Sequence, residues 1–257
     1  MIEDRFALYP SLKGKVVLIT GGGSGIGASM VEHFVHQGTK VVFLDIEEDS
    51  SRALVDNLAE NSKHKPLFLA CDLTDIAALR SSIQKAEQTV GPIDVLVNNA
   101  ANDRRHQWEE VTPEYWDRSM DVNLRHHFFA IQAVAPGMKT RGQGSIINMS
   151  SISWKIPSTG LPAYVTAKAG IVGLTRTMAR ELGPSGIRVN CVLPGAIHTE
   201  KQRRLVWTPE YKEKIMASQS IKRAIMPEDV ARLILFLAAD DSSAITNQSY
   251  VIDGGWV

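Results

Sequence analysis

The sequence predicts an α/β fold: one domain, a doubly wound parallel sheet with helices on both faces. Three observations predict it. Short, apolar, β-branched runs alternate with longer helical patterns along all 257 residues. The first run leads into a glycine-rich turn, a helix and a second run that ends in an acid. No linker, repeat, low-complexity tract or change of composition interrupts the alternation, so residues 1–257 read as a single unit. Hydrophobic residues make up 44% and charged residues 22%, as in an ordinary globular chain. The 28 Lys and Arg balance the 28 Asp and Glu, which leaves no electrostatic case for nucleic acid or an anionic membrane surface.

Residues 1–14 read as a short irregular arm. It lacks the hydrophobic core of a signal peptide, and no run is long enough to span a membrane, so the expected compartment is the cytoplasm. Lys15 to Thr20 is a buried strand. The turn Gly21-Gly22-Gly23-Ser24-Gly25-Ile26-Gly27 follows, then a helix with Ile26, Met30, Val31, Phe34 and Val35 on one face. Lys40 to Asp45 is the second strand. Small residues let backbone approach a pyrophosphate, and the helix start offers unpaired N–H groups and a positive dipole end. Placed between these strands, the turn reads as a dinucleotide site. Asp45 suits the adenosine ribose hydroxyls and would repel a 2′-phosphate. Residue 46 is isoleucine, with no arginine beside it, so the expected cofactor is NAD.

Asp49 to Asn61 is a helix, Pro66 to Cys71 a strand closed by Asp72-Leu73, and Asp75 to Val90 a helix. Asp72 is a candidate for the adenine or simply a turn-closing group. Ile93 to Asn98 is the fourth strand, running into Asn99-Ala100. Asn99 is expected to support the cofactor or the central strand, or simply to close a turn. The polar segment 102–112 leaves a strand's C-terminal end, where ligands bind in open α/β sheets. Thr112 caps a helix that starts at Pro113 and runs to about Met138, with Tyr115 where a full capping box wants Glu or Gln. Asn123, a polar residue between Val122 and Leu124, reads as a core side chain that hydrogen-bonds a neighbouring backbone group. His126 and His127, being adjacent, are expected to face different ways. Gly144 to Ser150 is the fifth strand, Pro162 to about Leu182 a helix, Ile187 to Leu193 the sixth strand, ending at Pro194-Gly195. The polar segment 196–222, with a helix start at Thr208-Pro209-Glu210, is expected to be a lid over a small substrate. Pro227 to Ala239 is an amphipathic helix and Ser249 to Ile252 the last strand. Cys71 and Cys191 read as small core residues, and no His, Cys, Asp or Glu spacing suggests a metal site.

Ser151, Tyr164 and Lys168 carry the expected chemistry. Tyr164 and Lys168 are four apart on a helix and share a face. A free phenol, with a pKa of about 10, is too weak a base at neutral pH, and a neighbouring ammonium favours the phenolate. Ser151, just past a strand, would hold a substrate oxygen against it.

The set Thr20-Gly21-x-x-x-Gly25-x-Gly27, Asn98-Asn99-Ala100, Asn123, Ser151, Tyr164-x-x-x-Lys168 and Pro194-Gly195-x-x-x-Thr199 resembles the short-chain dehydrogenase/reductase family from about residue 12 to 257. The resemblance implies a single-domain Rossmann fold with seven parallel strands, hydride transfer with a nicotinamide cofactor, and a homotetramer. It implies a catalytic set of Asn123, Ser151, Tyr164 and Lys168, with Asn123 holding a water between Lys168 and solvent. It also gives Ile197 and Thr199 to the nicotinamide carboxamide. Ala101 departs from the family's usual glycine.

Closer likeness runs through Asn102-Asp103, Arg105-His106, Val122 to His126, Gln132 to Lys139, Ser151 to Trp154 and Lys201 to Arg203. It points to the bacterial NAD-dependent aldose 1-dehydrogenases, those acting on D-xylose in particular, which oxidise an anomeric carbon to a lactone. Asn102, Arg105, His106, Ser151, Ser153, Trp154, Tyr164 and Gln202 are then the expected sugar contacts; the alternative is Trp154 as interior packing and Asn102, Arg105, His106 and Gln202 as solvated loop. The alternatives are a dehydrogenase or reductase of another alcohol, a polyol or a 3-oxoacyl substrate, and a non-catalytic NAD-binding protein on the same fold.

Overall fold

The structure is a computed structural model and describes residues 6–60, 63–205 and 208–257. The first five residues of the expected arm, Asn61 of the second expected helix and residues 206–207 of the expected lid lie outside the described residues. The elements run β1 (Val16–Thr20), α1 (Gly25–His36), β2 (Lys40–Asp45), α2 (Glu48–Ala59), β3 (Leu67–Ala70), α3 (Ile76–Val90), β4 (Val95–Asn98), α4 (Pro113–Met120), α5 (His126–Arg141), β5 (Gly144–Met149), α6 (Pro162–Leu182), β6 (Ile187–Pro194), α7 (Glu200–Leu205), α8 (Pro209–Ser218), α9 (Pro227–Ala238) and β7 (Ser249–Ile252).

All seven strands are parallel, in the order β3-β2-β1-β4-β5-β6-β7. Burial on both faces explains why the central strands read as unbroken apolar runs rather than alternating ones. In β1, Val17 and Ile19 enter one core with Phe34 and Ile234, while Val16 and Leu18 enter the other with Leu79 and Ile131. Full burial of each such side chain contributes roughly 1.5–3 kcal/mol before entropy. Cys71 and Cys191 are buried and unpaired by any disulfide. No described helix is long and apolar enough to cross a membrane.

The strand order reverses between β1 and β4, which opens a crevice at their C-terminal ends. Register aligns Thr20, Asn98 and Asn148 across that edge. Buried polar groups tie the layers together there. Asn98 Nδ2 donates to Asn148 Oδ1 at 2.9 Å, and Asn148 Nδ2 donates to Thr175 Oγ1 of α6 at 3.0 Å.

One expectation is corrected. The single helix from Pro113 to about Met138 is α4, a π-helical turn over Asp121–Arg125, and α5, which runs on to Arg141. The π turn has Asn123 at its centre, and its side-chain bonds explain it, as described below. His126 and His127 are both fully buried, with ring centroids 4.3 Å apart, and their rings meet different backbone, that of Asp121 and Val122 for His126 and that of Asn98 for His127. The short helix α7 has no apolar periodicity to announce it. It is started by Thr199, whose Oγ1 accepts from the Gln202 N–H at 3.1 Å.

Candidate active site

The site is built on the C-terminal ends of β1, β4, β5 and β6. At β1 the chain turns through Gly21, whose φ of +67° suits glycine, and where a Cβ would stand 2.7 Å from the Ala100 Cα. A Cβ on Gly27 would collide with the Gly21 carbonyl oxygen. Asn99 holds this turn from the neighbouring strand, donating from Nδ2 to the Thr20 and Gly21 carbonyls at 3.1 and 2.8 Å. Its N–H and that of Ala100 donate to Thr20 Oγ1. Asn99 thus acts on the glycine turn rather than reaching outward.

The residues fit a dinucleotide. The Ser24 side chain makes no cap bond at the start of α1, so Gly25, Ile26 and Gly27 present first-turn amides uncapped by it. The Asp45 carboxylate is fixed by two backbone donors, Gly23 N–H at 2.8 Å and Glu47 N–H at 3.0 Å. Ile46 is exposed beside it. Asp72 closes its own turn, Oδ1 accepting from the Thr74 N–H and hydroxyl, and those bonds hold its pKa down. Leu73 is buried in the core, so anything it offers a cofactor comes from its backbone. Pro194 ends β6, and the Gly195 N–H donates to the Ile252 carbonyl at 3.0 Å. Beyond them Ile197 is buried, and Thr199 lies against the glycine turn, 3.3 Å from where a Gly25 Cβ would be.

Ser151, Tyr164 and Lys168 come together, the last two on one helix face as their spacing predicts. The Ser151 hydroxyl hydrogen-bonds the Tyr164 phenol and accepts from the Ser153 N–H at 3.1 Å. The Lys168 ammonium lies 5.5 Å from the Tyr164 ring centroid and donates to the Met149 carbonyl at 2.9 Å. Ser150 Oγ donates to the Lys168 carbonyl at 2.6 Å and anchors the helix. The charge balance differs from the expectation. Burial, then the Asp103 carboxylate, push the Tyr164 phenol above its ordinary value, and the Ser151 bond only partly offsets them. Burial pulls Lys168 down to about 8, against the pull of Cys191 and Asp103. Lys168 does not hold the phenol low in the chain alone, because its ammonium is turned to Met149 and both groups are desolvated.

Asn123 is 1% exposed, and its amide is fully engaged. Oδ1 accepts from the Asn102 N–H at 2.8 Å; Nδ2 donates to the Asn102 carbonyl at 3.2 Å and the Ser119 carbonyl at 3.0 Å. It therefore clips the loop after β4 onto the π turn, and a π turn is the usual mark of a helix bent for a site. A water link to Lys168 would have to use its backbone.

The expected sugar contacts divide. Asn102 is exposed, and its Oδ1 accepts from the Arg104 N–H. Arg105 donates to the Thr159 carbonyl at 3.1 Å, tying this loop to the one before α6. Trp154 packs with Leu124, Ile156 and Trp256 on a small core cluster. Gln202 Nε2 donates to Asp103 Oδ2 at 2.8 Å. His106 Nδ1 bonds the Tyr115 hydroxyl at 2.8 Å. Yet His106 Nε2, Ser153 Oγ and Trp154 Nε1 are buried with no hydrogen-bond partner. Sequence reasoning missed Asp103 and Tyr115 as site residues. Asp103 had a signal, its place just beyond β4 in the Asn102-Asp103 pair; Tyr115 had none. Among the described residues no group of three His, Cys, Asp or Glu side chains is placed to hold a metal.

Known proteins resemble this chain over nearly its whole length. A family profile described as enoyl-(acyl carrier protein) reductase matches residues 21–257. A D-xylose 1-dehydrogenase of Caulobacter vibrioides is 52% identical over 250 residues, 97% of this chain and 98% of that protein. A probable galactose dehydrogenase of Rhizobium meliloti is 49% identical over 247 residues, 96% of each chain. Among solved structures, a 3-oxoacyl-[acyl-carrier protein] reductase from Brucella melitensis matches with a TM-score of 0.91 and 32% identity, covering 100% of this chain and 98% of that one.

Proposed function

The chain belongs to the short-chain dehydrogenase/reductase family, and from that membership we propose that it oxidises an aldose, a pentose or hexose, at the anomeric carbon to the lactone, with NAD as cofactor. The observation that carries the sugar reading is the set of three buried, unpartnered polar atoms, His106 Nε2, Ser153 Oγ and Trp154 Nε1. Buried polar groups are normally paired, and a substrate bearing several hydroxyls supplies both donors and acceptors. The two sugar dehydrogenases among the relatives support the same choice. The fixed Asp45 carboxylate supports NAD over NADP, and counts against a 3-oxoacyl reductase working with a 2′-phosphorylated cofactor.

Gly21, Ser24, Gly25, Ile26 and Gly27 would hold the pyrophosphate, and Asp45 the adenosine ribose. Ile197 and Thr199 would meet the nicotinamide end. When bound, NAD supplies the hydride acceptor. Ser151 donates to the anomeric oxygen and holds it beside Tyr164. Tyr164, once deprotonated, takes the anomeric hydroxyl proton. Lys168 fixes the charge of that pair and passes the proton outward past the π turn at Asn123. With the phenol held above its ordinary value, the base form gains with alkalinity, so sugar oxidation rises as pH rises above neutral. The reading includes a cytoplasmic homotetramer.

The Tyr164→Phe enzyme tests the base. We expect kcat to fall by about 10²–10⁴-fold, while NAD affinity measured by calorimetry is unchanged. Turnover near the wild-type rate would remove Tyr164 from its role.

A further inference from the structure

Tyr115 belongs neither to the glycine turn nor to the catalytic set, yet it fixes the group beside it. Its N–H donates to Thr112 Oγ1 at 3.2 Å at the start of α4, and its hydroxyl lies 2.8 Å from His106 Nδ1. The two rings are 4.6 Å apart between centroids and tilted by 58°. Arg104 completes the arrangement. Its N–H donates to the Asn102 side chain, and its carbonyl lies 3.1 Å from the same His106 Nδ1. The histidine backbone is anchored as well. The His106 N–H donates to the Gly160 carbonyl at 2.8 Å, and Arg105 donates to the Thr159 carbonyl alongside it. His106 therefore sits beside the start of α6, the helix that carries Tyr164, with Nε2 buried and without a partner.

These contacts decide which ring nitrogen carries the proton. A neutral imidazole has one donor and one acceptor nitrogen. A carbonyl oxygen can only accept, so the Arg104 contact needs the proton on Nδ1. The Tyr115 oxygen, which can accept or donate, then accepts from the same N–H. Were Tyr115 the donor, a bare Nδ1 would face the carbonyl lone pairs. Nε2 is thereby left as an acceptor. A buried acceptor is satisfied by a hydrogen-bond donor, not by a carbonyl or ether oxygen.

We propose that Tyr115 and the Arg104 carbonyl hold His106 in its Nδ1–H tautomer, so that Nε2 reads one substrate position as a hydroxyl by accepting its hydrogen bond. Tyr115 is then a positioning residue and His106 a specificity-determining one. The assignment sorts the unpartnered atoms by kind. His106 Nε2 only accepts, Trp154 Nε1 only donates, and Ser153 Oγ does either. A substrate with several hydroxyls can meet all three, whereas a carbonyl oxygen at His106 leaves it unsatisfied. The inference rests on the aldose reading for its ligand; the tautomer does not.

The test uses the full-length enzyme with nitrogen-15-labelled histidine, as wild type, Tyr115→Phe and His106→Leu. The first readout is the long-range proton–nitrogen correlation of the imidazoles at about pH 8, where an ordinary histidine is neutral. The His106 signal is the one that His106→Leu lacks. The wild type should show a protonated Nδ1 and a bare Nε2, and Tyr115→Phe should admit the Nε2–H form. A wild type in the Nε2–H form overturns the inference. A merely structural Tyr115 would raise KM on substitution without moving the spectrum, and that result removes its positioning role. The second readout is kcat/KM for D-xylose and for analogues with each ring hydroxyl replaced by hydrogen or by fluorine, which cannot donate. At one position both replacements should cost the wild type roughly 10–100-fold. In His106→Leu that loss should vanish, and the comparison cancels any effect of fluorine on the reacting carbon. Fluorine tolerated at every position, or the same losses in His106→Leu, overturns the proposal. If the wild type oxidises no aldose, the hydroxyl assignment falls with the sugar reading, and the imidazole spectrum still decides the tautomer.

Discussion

At the residue scale, Lys168 shows how function is set against stability. It is 1% exposed and held down to about 8 from an ordinary 10.5. A folded pKa below the unfolded one means that the folded chain resists the charge, so the unfolded chain binds more protons between the two values. The resulting penalty is present at neutral pH, amounts to roughly 3 kcal/mol, and is relieved as pH rises through about 8 toward 10.5. The bond to Met149 returns part of it. Lys168→Met should therefore abolish turnover while leaving the chain more stable than wild type at pH 7, by about 1–3 kcal/mol. Urea unfolding of both proteins, followed from pH 7 to 10, should show that gap closing. Comparing the pair cancels the other groups that titrate in this range, including Cys191, which burial raises to about 12. A wild type more stable than the variant at pH 7 would contradict the assignment.

At the element scale, the glycine turn and the π turn do different work, and only one was legible. The turn between β1 and α1 could be read because backbone chemistry demands small residues at fixed spacing. Its test separates space from helix propensity. Gly27→Ala would force a methyl into the Gly21 carbonyl and should remove NAD binding, measured by calorimetry. Gly173→Ala, in α6 with open space around it, should keep NAD binding and gain about 0.5–1 kcal/mol in urea. If Gly27→Ala bound NAD as wild type does, the turn would not be the site. The π turn was not read from the apolar spacing from Trp116 to Met138, which was taken as one helix. Its cause, Asn123 bonding Asn102 and Ser119, is a tertiary contact that no local pattern carries.

At the scale of the whole molecule, the strand count and the parallel sheet followed from sequence, because each rests on local runs and the crossover rule, while the meeting of Ser151 with Tyr164 and Lys168 was what the family resemblance implied. The contacts that seat α7 and the loops around the site did not. The role of Gln202 depends on Asp103, and the burial of the His106, Ser153 and Trp154 polar atoms depends on how loops from β4, β5 and β6 close together. Those loops are what a substrate would read, so the central claim is tested at their product. The measurement is reduced-nicotinamide formation from NAD across a panel of aldoses, polyols and simple alcohols, with the oxidised product identified as it forms. The account predicts turnover of a pentose or hexose, little with polyols, and a lactone as first product. Turnover confined to polyols, simple alcohols or keto compounds, with no aldose oxidised, would contradict it.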